Sequence, residues 1–360
     1  MPLGIYLHIP FCFQKCNYCD FYSLGCSRSV PQEYIDALLR EIARWKQKES
    51  WRRPATVYFG GGTPSLLSAR QLEALLDALE PLPDAEITLE ANPGTADAAK
   101  LRDFRTAGAN RLSVGVQSAS DASLHRLGRI HTAAESRTML QNAAAAGFEN
   151  ISGDVMLALP EYSVKELRDT LELLCGCGVK HISSYLLKIE PGTPFGKSPP
   201  QGLPDEDAAA DFYLACVEEC AARGFAQYEI SNFAVPGYES RHNLCYWNCQ
   251  DYLGIGPAAH SCIANRRFCY PADTAAFIAG TQPVPDGECT AEDFILLQLR
   301  LAKGLSLTEL QGRWGVSFSA AQHAFLRRCE KNGLAAMAGD RIRLTPRGLL
   351  VQNSILCNLV

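Results

Sequence analysis

The sequence has no run of apolar residues approaching the length of a membrane span, which excludes a helical transmembrane segment on this reading. It also lacks a large charge of one sign. A formal net charge of −5 over 360 residues gives no general pull toward nucleic acid or an anionic lipid surface. No signal-peptide pattern precedes the first motif, so a cytoplasmic protein is expected. A second metal-ligand pair of the Cys-x2-Cys or His-x3-His kind is missing, which counts against a zinc-finger unit. Gly60-Gly61-Gly62-Thr63-Pro64 is not followed by Gly-Lys-Ser/Thr, so it is not a P-loop.

Cysteine, by contrast, is plentiful. There are 15, an odd number, and in a reducing compartment they remain free thiols. Cys175, Cys177, Cys216 and Cys220 read as small core residues. Three others are set apart by their spacing. Cys12, Cys16 and Cys19 form C-x3-C-x2-C directly after an apolar strand, Ile5 to Ile9. Thiolates favour zinc or iron–sulfur clusters over hard cations. A four-iron cubane takes four cysteines, so three leave one iron open. A zinc knuckle would need a fourth ligand, with Cys26 or His8 as the candidates.

The first half of the chain alternates strand and helix. Strands are expected at Gly4–Ile9, Ala55–Phe59, Glu86–Glu90, Arg111–Gln117, Ile151–Leu157 and His181–Ile189. Amphipathic stretches lie between them at Gln32–Lys46, Ala69–Leu79, Ala96–Thr106, Ala133–Ala146 and Val164–Leu174. This is a βα repeat, hence an α/β fold with a parallel sheet and right-handed crossovers. Eight strands close a barrel, so six suggest a curved sheet left open at one side. We expect a barrel unit over 1–190, a connector and mixed region over 191–288, and a separate unit over 289–360. The last reads helix, helix, helix, hairpin, helix, which resembles a winged helix. Its Arg327, Arg328 and Lys331 read as solvated-face charges, so packing or lid duty is expected rather than DNA binding.

In parallel barrels the working residues sit at the carboxyl ends of strands. Those ends carry Gly61, Gly62 and Thr63, then Glu90, then Gln117 with Arg129 beyond it, then Asp154. Glycines allow close backbone approach. A carboxylate accepts from ribose hydroxyls, an amide donates and accepts, and an arginine clamps a carboxylate. Together they match the needs of a zwitterionic nucleoside.

These motifs resemble the radical S-adenosylmethionine (SAM) superfamily, in the subfamily that includes oxygen-independent coproporphyrinogen III oxidase. The resemblance covers nearly the whole chain and implies a partial (β/α)6 barrel with a C-terminal, mostly helical, winged-helix-like domain. It implies a [4Fe–4S] cluster on Cys12, Cys16 and Cys19. It implies SAM bound by Tyr6, Tyr18, Gly61, Gly62, Thr63, Glu90, Gln117, Arg129 and Asp154. Two departures point away from the oxidase: it has a fourth cysteine two positions after the third, where this chain has Phe21, and a long arm where few residues here precede Tyr6. Arg241-His242-Asn243-Leu244-Cys245-Tyr246-Trp247 matches the HNxxYW motif of HemW-type haem chaperones, and the run Asp251–Ser261 looks like that group too.

The resemblance thus implies haem as a further cofactor, with His242 as the iron ligand and Cys245 and His260 behind it. A hydrogen-bonded structural histidine in a loop is the other reading of His242, and both stay open. The implied partner is a haem-accepting protein, a membrane-bound respiratory cytochrome being the expected one. Nucleic acid is not expected, and a homodimer is left open. The alternative function is that of the oxidase itself, converting propionates to vinyls by oxidative decarboxylation.

Overall fold

The computed structural model describes residues 3–360. Met1 and Pro2, the first residues of the expected 1–190 unit, lie outside the described residues. The βα repeat is present as β1 (Leu3–Ile9), α1 (Gln32–Lys46), β2 (Pro54–Gly61), α2 (Ala69–Leu79), β3 (Glu86–Ala91), α3 (Ala98–Thr106) and β4 (Arg111–Gln117). It continues through α4 (Asp121–Arg126), α5 (Ala133–Ala145), β5 (Asn150–Leu157), α6 (Val164–Gly176) and β6 (His181–Leu186). Side chains set the helix starts. Ser68 with Gln71 and Thr132 with Glu135 form capping boxes at α2 and α5, satisfying amide donors that the first helical turn leaves free.

Strands β1 to β6 pair in parallel and in sequence order. Their outward residues, such as Ile5, Leu7, Val57, Phe59, Leu89, Leu112 and Val114, are buried under the helices. The inward row is different in kind. Tyr6, Tyr58, Glu90, Ser113, Asp154 and Ser183 alternate with those apolar residues along the same strands. Ser113 and Ser183 are buried and the others half-buried, and Tyr58 with Glu90 and Ser113 with Asp154 satisfy one another, so the row gives the inside of the sheet a polar lining.

The structure extends the expected sheet. After α7 (Pro194–Lys197) and α8 (Glu206–Ala222), the region 191–288 supplies six more strands to it. β7 (Ala226–Glu229) and β8 (Asn232–Ala234) add antiparallel beyond β6. α9 (Arg241–Trp247) then leads to β9 (Tyr252–Ile255), which pairs parallel with β1. β10 (His260–Ile263), β11 (Arg266–Cys269) and, after α10 (Thr274–Ile278), β12 (Val284–Glu288) continue antiparallel to the far edge. One sheet of 12 strands results, ordered β12-β11-β10-β9-β1-β2-β3-β4-β5-β6-β8-β7. The last parallel strand also stops at Leu186, three residues short of the expected Ile189, because Leu187 to Glu190 leave the ladder.

The tail comprises α11 (Ala291–Arg300), β13 (Leu305–Ser306), α12 (Leu307–Trp314), α13 (Ala320–Lys331), β14 (Ala335–Ala338), β15 (Arg341–Leu344), α14 (Pro346–Leu350) and α15 (Gln352–Leu356). It has its own three-stranded sheet and its own apolar cluster around Phe294, Leu299, Leu310 and Leu326. Arg300 fastens it to the barrel. Its guanidinium pairs at 2.5 Å with the fully buried Glu229 carboxylate and lies 4.2 Å over the Trp247 ring. No helix among the described residues is long and apolar enough to cross a membrane.

Candidate functional site

The loop leaving β1 carries the three cysteines, and it is fastened where it must cross the barrel mouth. Cys12 N–H donates to the Leu24 carbonyl and Ser27 N–H to the Cys12 carbonyl. Asn17 N–H donates to the Leu127 carbonyl, and its side chain donates to the Arg126 carbonyl. Cys12, Cys16 and Cys19 all face one cavity of about 520 Å³ at the carboxyl ends of the strands. Burial raises the Cys12 and Cys19 thiols, while a hydrogen bond from the Thr63 hydroxyl at 3.4 Å favours the Cys12 thiolate.

The donor set can be tested against its expected occupant. Among the described residues, the His/Cys/Asp/Glu donors that gather within 4.8 Å of one another are those of His260, Cys269 and Asp286, not the three cysteines. The three cysteines do not close to that spacing, and three thiolates without a fourth are the donor set of a cluster with one open iron. Neither proposed fourth zinc ligand joins them. Both His8 ring nitrogens are engaged, by the Tyr6 hydroxyl and the Tyr22 carbonyl, and Cys26 is exposed outside the cavity lining.

The rest of this cavity is built by strand ends. Gly62 packs so tightly that a Cβ there would meet the Phe11 carbonyl oxygen at 2.7 Å. Gly61 has φ +117°, where a side chain is strained. The Glu90 carboxylate accepts from the Gly61 N–H at 3.1 Å and the Tyr58 hydroxyl at 2.7 Å. Burial, with Asp154 nearby, pushes its pKa up to about 7; burial raises Asp154 to about 6. Gln117 holds φ +68° at a break in the β4–β5 register, a strained position for a non-glycine residue.

Arg129 is the clearest sign of a missing partner. One Nη donates to Asn92 and the other to the Tyr18 hydroxyl, while Nε is buried and unbonded. Among the described residues it makes no ion pair. A cation held this way, beside a cysteine trio and facing a cavity, suits a carboxylate ligand. Tyr18, Gly61, Gly62, Thr63, Glu90, Gln117, Arg129 and Asp154 all line this cavity. Tyr6 does not: its side chain faces a second cavity instead. The sequence reading also missed lining residues Tyr58, Asn92, Arg111, Ser113 and Ser183. Period-2 alternation back from Gln117 reaches Ser113, and the strand register places Ser183 opposite Asp154.

The second cavity, about 550 Å³, lies on the other side of Phe21, which borders both. Tyr6, Tyr22, Tyr246, Trp247 and Tyr252 give it aromatic walls, and Leu296 and Leu297 of α11 add apolar surface. The His242 segment is not a loop, as the sequence suggested for a structural histidine, but helix α9, capped by the Ser240 hydroxyl accepting from Asn243 N–H. His242 is 1% exposed. Its Nδ1 bonds the Thr56 hydroxyl at 2.8 Å and its Nε2 the Tyr246 hydroxyl at 2.6 Å. Burial lowers its pKa to about 3, so the ring is neutral. It thus presents no open nitrogen in this conformation; Tyr246 stands between it and the cavity.

Cys245, the second expected iron ligand, is buried against the Arg241 carbonyl and lines neither cavity, so the structure does not support that role. His260, the third, lines the second cavity from the exposed edge, with Nδ1 3.0 Å from Asp286.

Comparison with known proteins fits this geometry. Residues 6–174 match the radical SAM superfamily and residues 288–351 the HemN C-terminal domain. The heme chaperone HemW of Haemophilus influenzae is 35% identical over 99% of this chain and 97% of its own. That of Escherichia coli is 44% identical over 72% of this chain and 70% of its own. The Escherichia coli coproporphyrinogen III oxidase HemN, described as a radical SAM enzyme, superposes with a TM-score of 0.84, covering 99% of this chain and 89% of its own at 23% identity. At that identity the likeness speaks for the fold.

Proposed function

The chain belongs to the HemW family within the radical SAM superfamily, and from that membership we propose that it is a haem chaperone. It binds a [4Fe–4S] cluster through Cys12, Cys16 and Cys19, binds SAM in the first cavity, holds haem in the second, and passes haem to an acceptor protein. The cluster, when bound, supplies an iron open to the amine and carboxylate of SAM. The chain's own part there is to seat the nucleoside: Arg129 holds the carboxylate, the backbone at Gly61 and Gly62 permits close approach, and Glu90 and Asp154 take polar groups.

One observation carries the haem reading. Tyr246 and Trp247 wall an aromatic cavity large enough for a flat ligand, and His242 of the same helix lies one hydrogen bond behind that wall. We assign the haem iron to His242 Nε2, reached when the Tyr246 hydroxyl swings away. The tautomer with the proton on Nδ1, donating to Thr56, aims the Nε2 lone pair at that opening. A neutral imidazole is the form that binds iron. The acceptor we propose is a membrane-bound respiratory haem protein.

The oxidase remains the second reading because of the shared fold. Phe21, in place of the fourth cysteine expected there, weighs against it. Haem titration at the Soret band, with parallel assay of 5′-deoxyadenosine and protoporphyrinogen from coproporphyrinogen, separates the two. A Soret shift lost in His242→Ala, without product, supports the chaperone. Protoporphyrinogen formation with turnover overturns it.

A further inference from the structure

We propose that His260, Cys269 and Asp286 form a binding site for a zinc-class divalent cation on the outer edge of the sheet. The three residues come from adjacent antiparallel strands, β10, β11 and β12. His260 pairs directly with Cys269, and direct partners project from the same face. Asp286 on β12 reaches across the β11 thiol to bond His260 Nδ1 at 3.0 Å. The thiol is therefore flanked by an imidazole and a carboxylate, and all three donor atoms lie within 4.8 Å of one another. Nitrogen, thiolate sulfur and carboxylate oxygen is a donor set that zinc accepts, and its sulfur selects against magnesium and calcium.

The site is anchored on one side and open to solvent on the other. Phe268 and Tyr270, which flank Cys269, point to the opposite face. Phe268 stacks on Trp45 with centroids 5.3 Å apart, and the Tyr270 hydroxyl donates to the Glu41 carboxylate at 2.7 Å. These anchors fix the orientation of the Cys269 thiol. β12, in contrast, is exposed along its whole length and is the edge of the sheet. A cation bound by all three residues would cross-link this edge strand to β10 and β11. The fourth coordination position faces solvent, since the side chains of His260 and Asp286 are 56% and 38% exposed. This site goes beyond the haem reading and needs no haem for its test.

The test is equilibrium dialysis of the cluster-loaded protein against Zn2+ without oxygen, with zinc and iron counted together. One zinc per chain is expected in addition to the cluster iron. Cys269→Ser and Asp286→Asn should each weaken uptake by about tenfold or more. Hydrogen exchange in residues 284–288 should slow on zinc addition in the parent chain and not in Cys269→Ser. No zinc uptake, or uptake unchanged in both variants, overturns the proposal. So does uptake that leaves exchange in the edge strand untouched.

Discussion

Replacing Tyr246 with phenylalanine isolates the gate in front of His242. The aromatic ring stays, with its edge contact to Tyr252 at 4.5 Å between centroids, so the cavity wall is conserved. Only the hydroxyl that holds His242 Nε2 at 2.6 Å is lost. In the parent chain haem iron must displace that hydrogen bond, whose net worth is on the order of 1 kcal/mol. In Tyr246→Phe the bond is already gone, and the buried nitrogen lacks a partner until iron arrives. Haem should therefore bind about fivefold to tenfold more tightly, since 1.4 kcal/mol is a tenfold change. The haem-free protein should lose about 1–3 kcal/mol of stability, the cost of an unsatisfied buried group. Anaerobic titration at the Soret band gives the affinity, and denaturant unfolding gives the stability. Weaker or unchanged haem affinity in Tyr246→Phe, with a normal Soret shift in His242→Ala, would refute iron binding at His242.

Other substitutions test the remaining parts. Arg129→Gln should weaken SAM binding by about tenfold to a hundredfold, the worth of a charge-assisted contact, while cluster iron stays at the parent level. Equilibrium binding of SAM beside an iron count reads both. Glu90, with its pKa pushed up to about 7, keeps a proton in the folded chain that the unfolded chain releases near pH 4.5. The Glu90 share of the stability of the cluster-free protein should fall as pH rises from about 4.5 to about 7 and then level off; Asp154, raised to about 6, adds a fall of the same sign, and buried His242, lowered to about 3, adds a rise. The difference in stability between Glu90→Gln and the parent isolates that share: it should grow across this window to on the order of 2–3 kcal/mol in favour of Glu90→Gln at pH 8, read by urea unfolding of both at several pH values. Arg300→Ala strands the buried Glu229 carboxylate and should cost about 3–5 kcal/mol, with earlier proteolytic release of the tail.

The parallel half of the fold was legible because its signal is local. Short apolar strands alternating with amphipathic helices can pack in few ways, and β1 to β6 begin within a residue or so of their expected positions. That the cysteine loop and the strand-end residues share one cavity was also legible, since the loop leaves β1 at the mouth on which the strand ends converge. What could not be read was non-local. β9 is four residues long, and only tertiary pairing sets it beside β1. The resemblance placed Tyr6 with SAM, but the inward face of β1 serves two cavities, and Tyr6 lines the second. For His242, the motif marked importance without revealing that Thr56, more than 180 residues earlier, would take one of its nitrogens.

Phe21 joins these observations. A side chain 72% exposed is an odd place for a large apolar residue beside a metal-binding loop, and it borders both cavities. The loop around it is anchored: the Tyr22 hydroxyl accepts from Thr274 N–H at 2.9 Å, and the Tyr22 carbonyl bonds His8 Nε2 at 2.9 Å. Phe21 is therefore presented by a fixed backbone. Covering an aromatic side chain with a flat apolar ligand returns on the order of 2 kcal/mol, whereas a thiol there would offer far less surface. In the HemW reading this surface, at the partition between the two cavities, is available to haem, and Phe21→Ser should weaken haem binding by about tenfold or more in a Soret titration while cluster iron stays at the parent level.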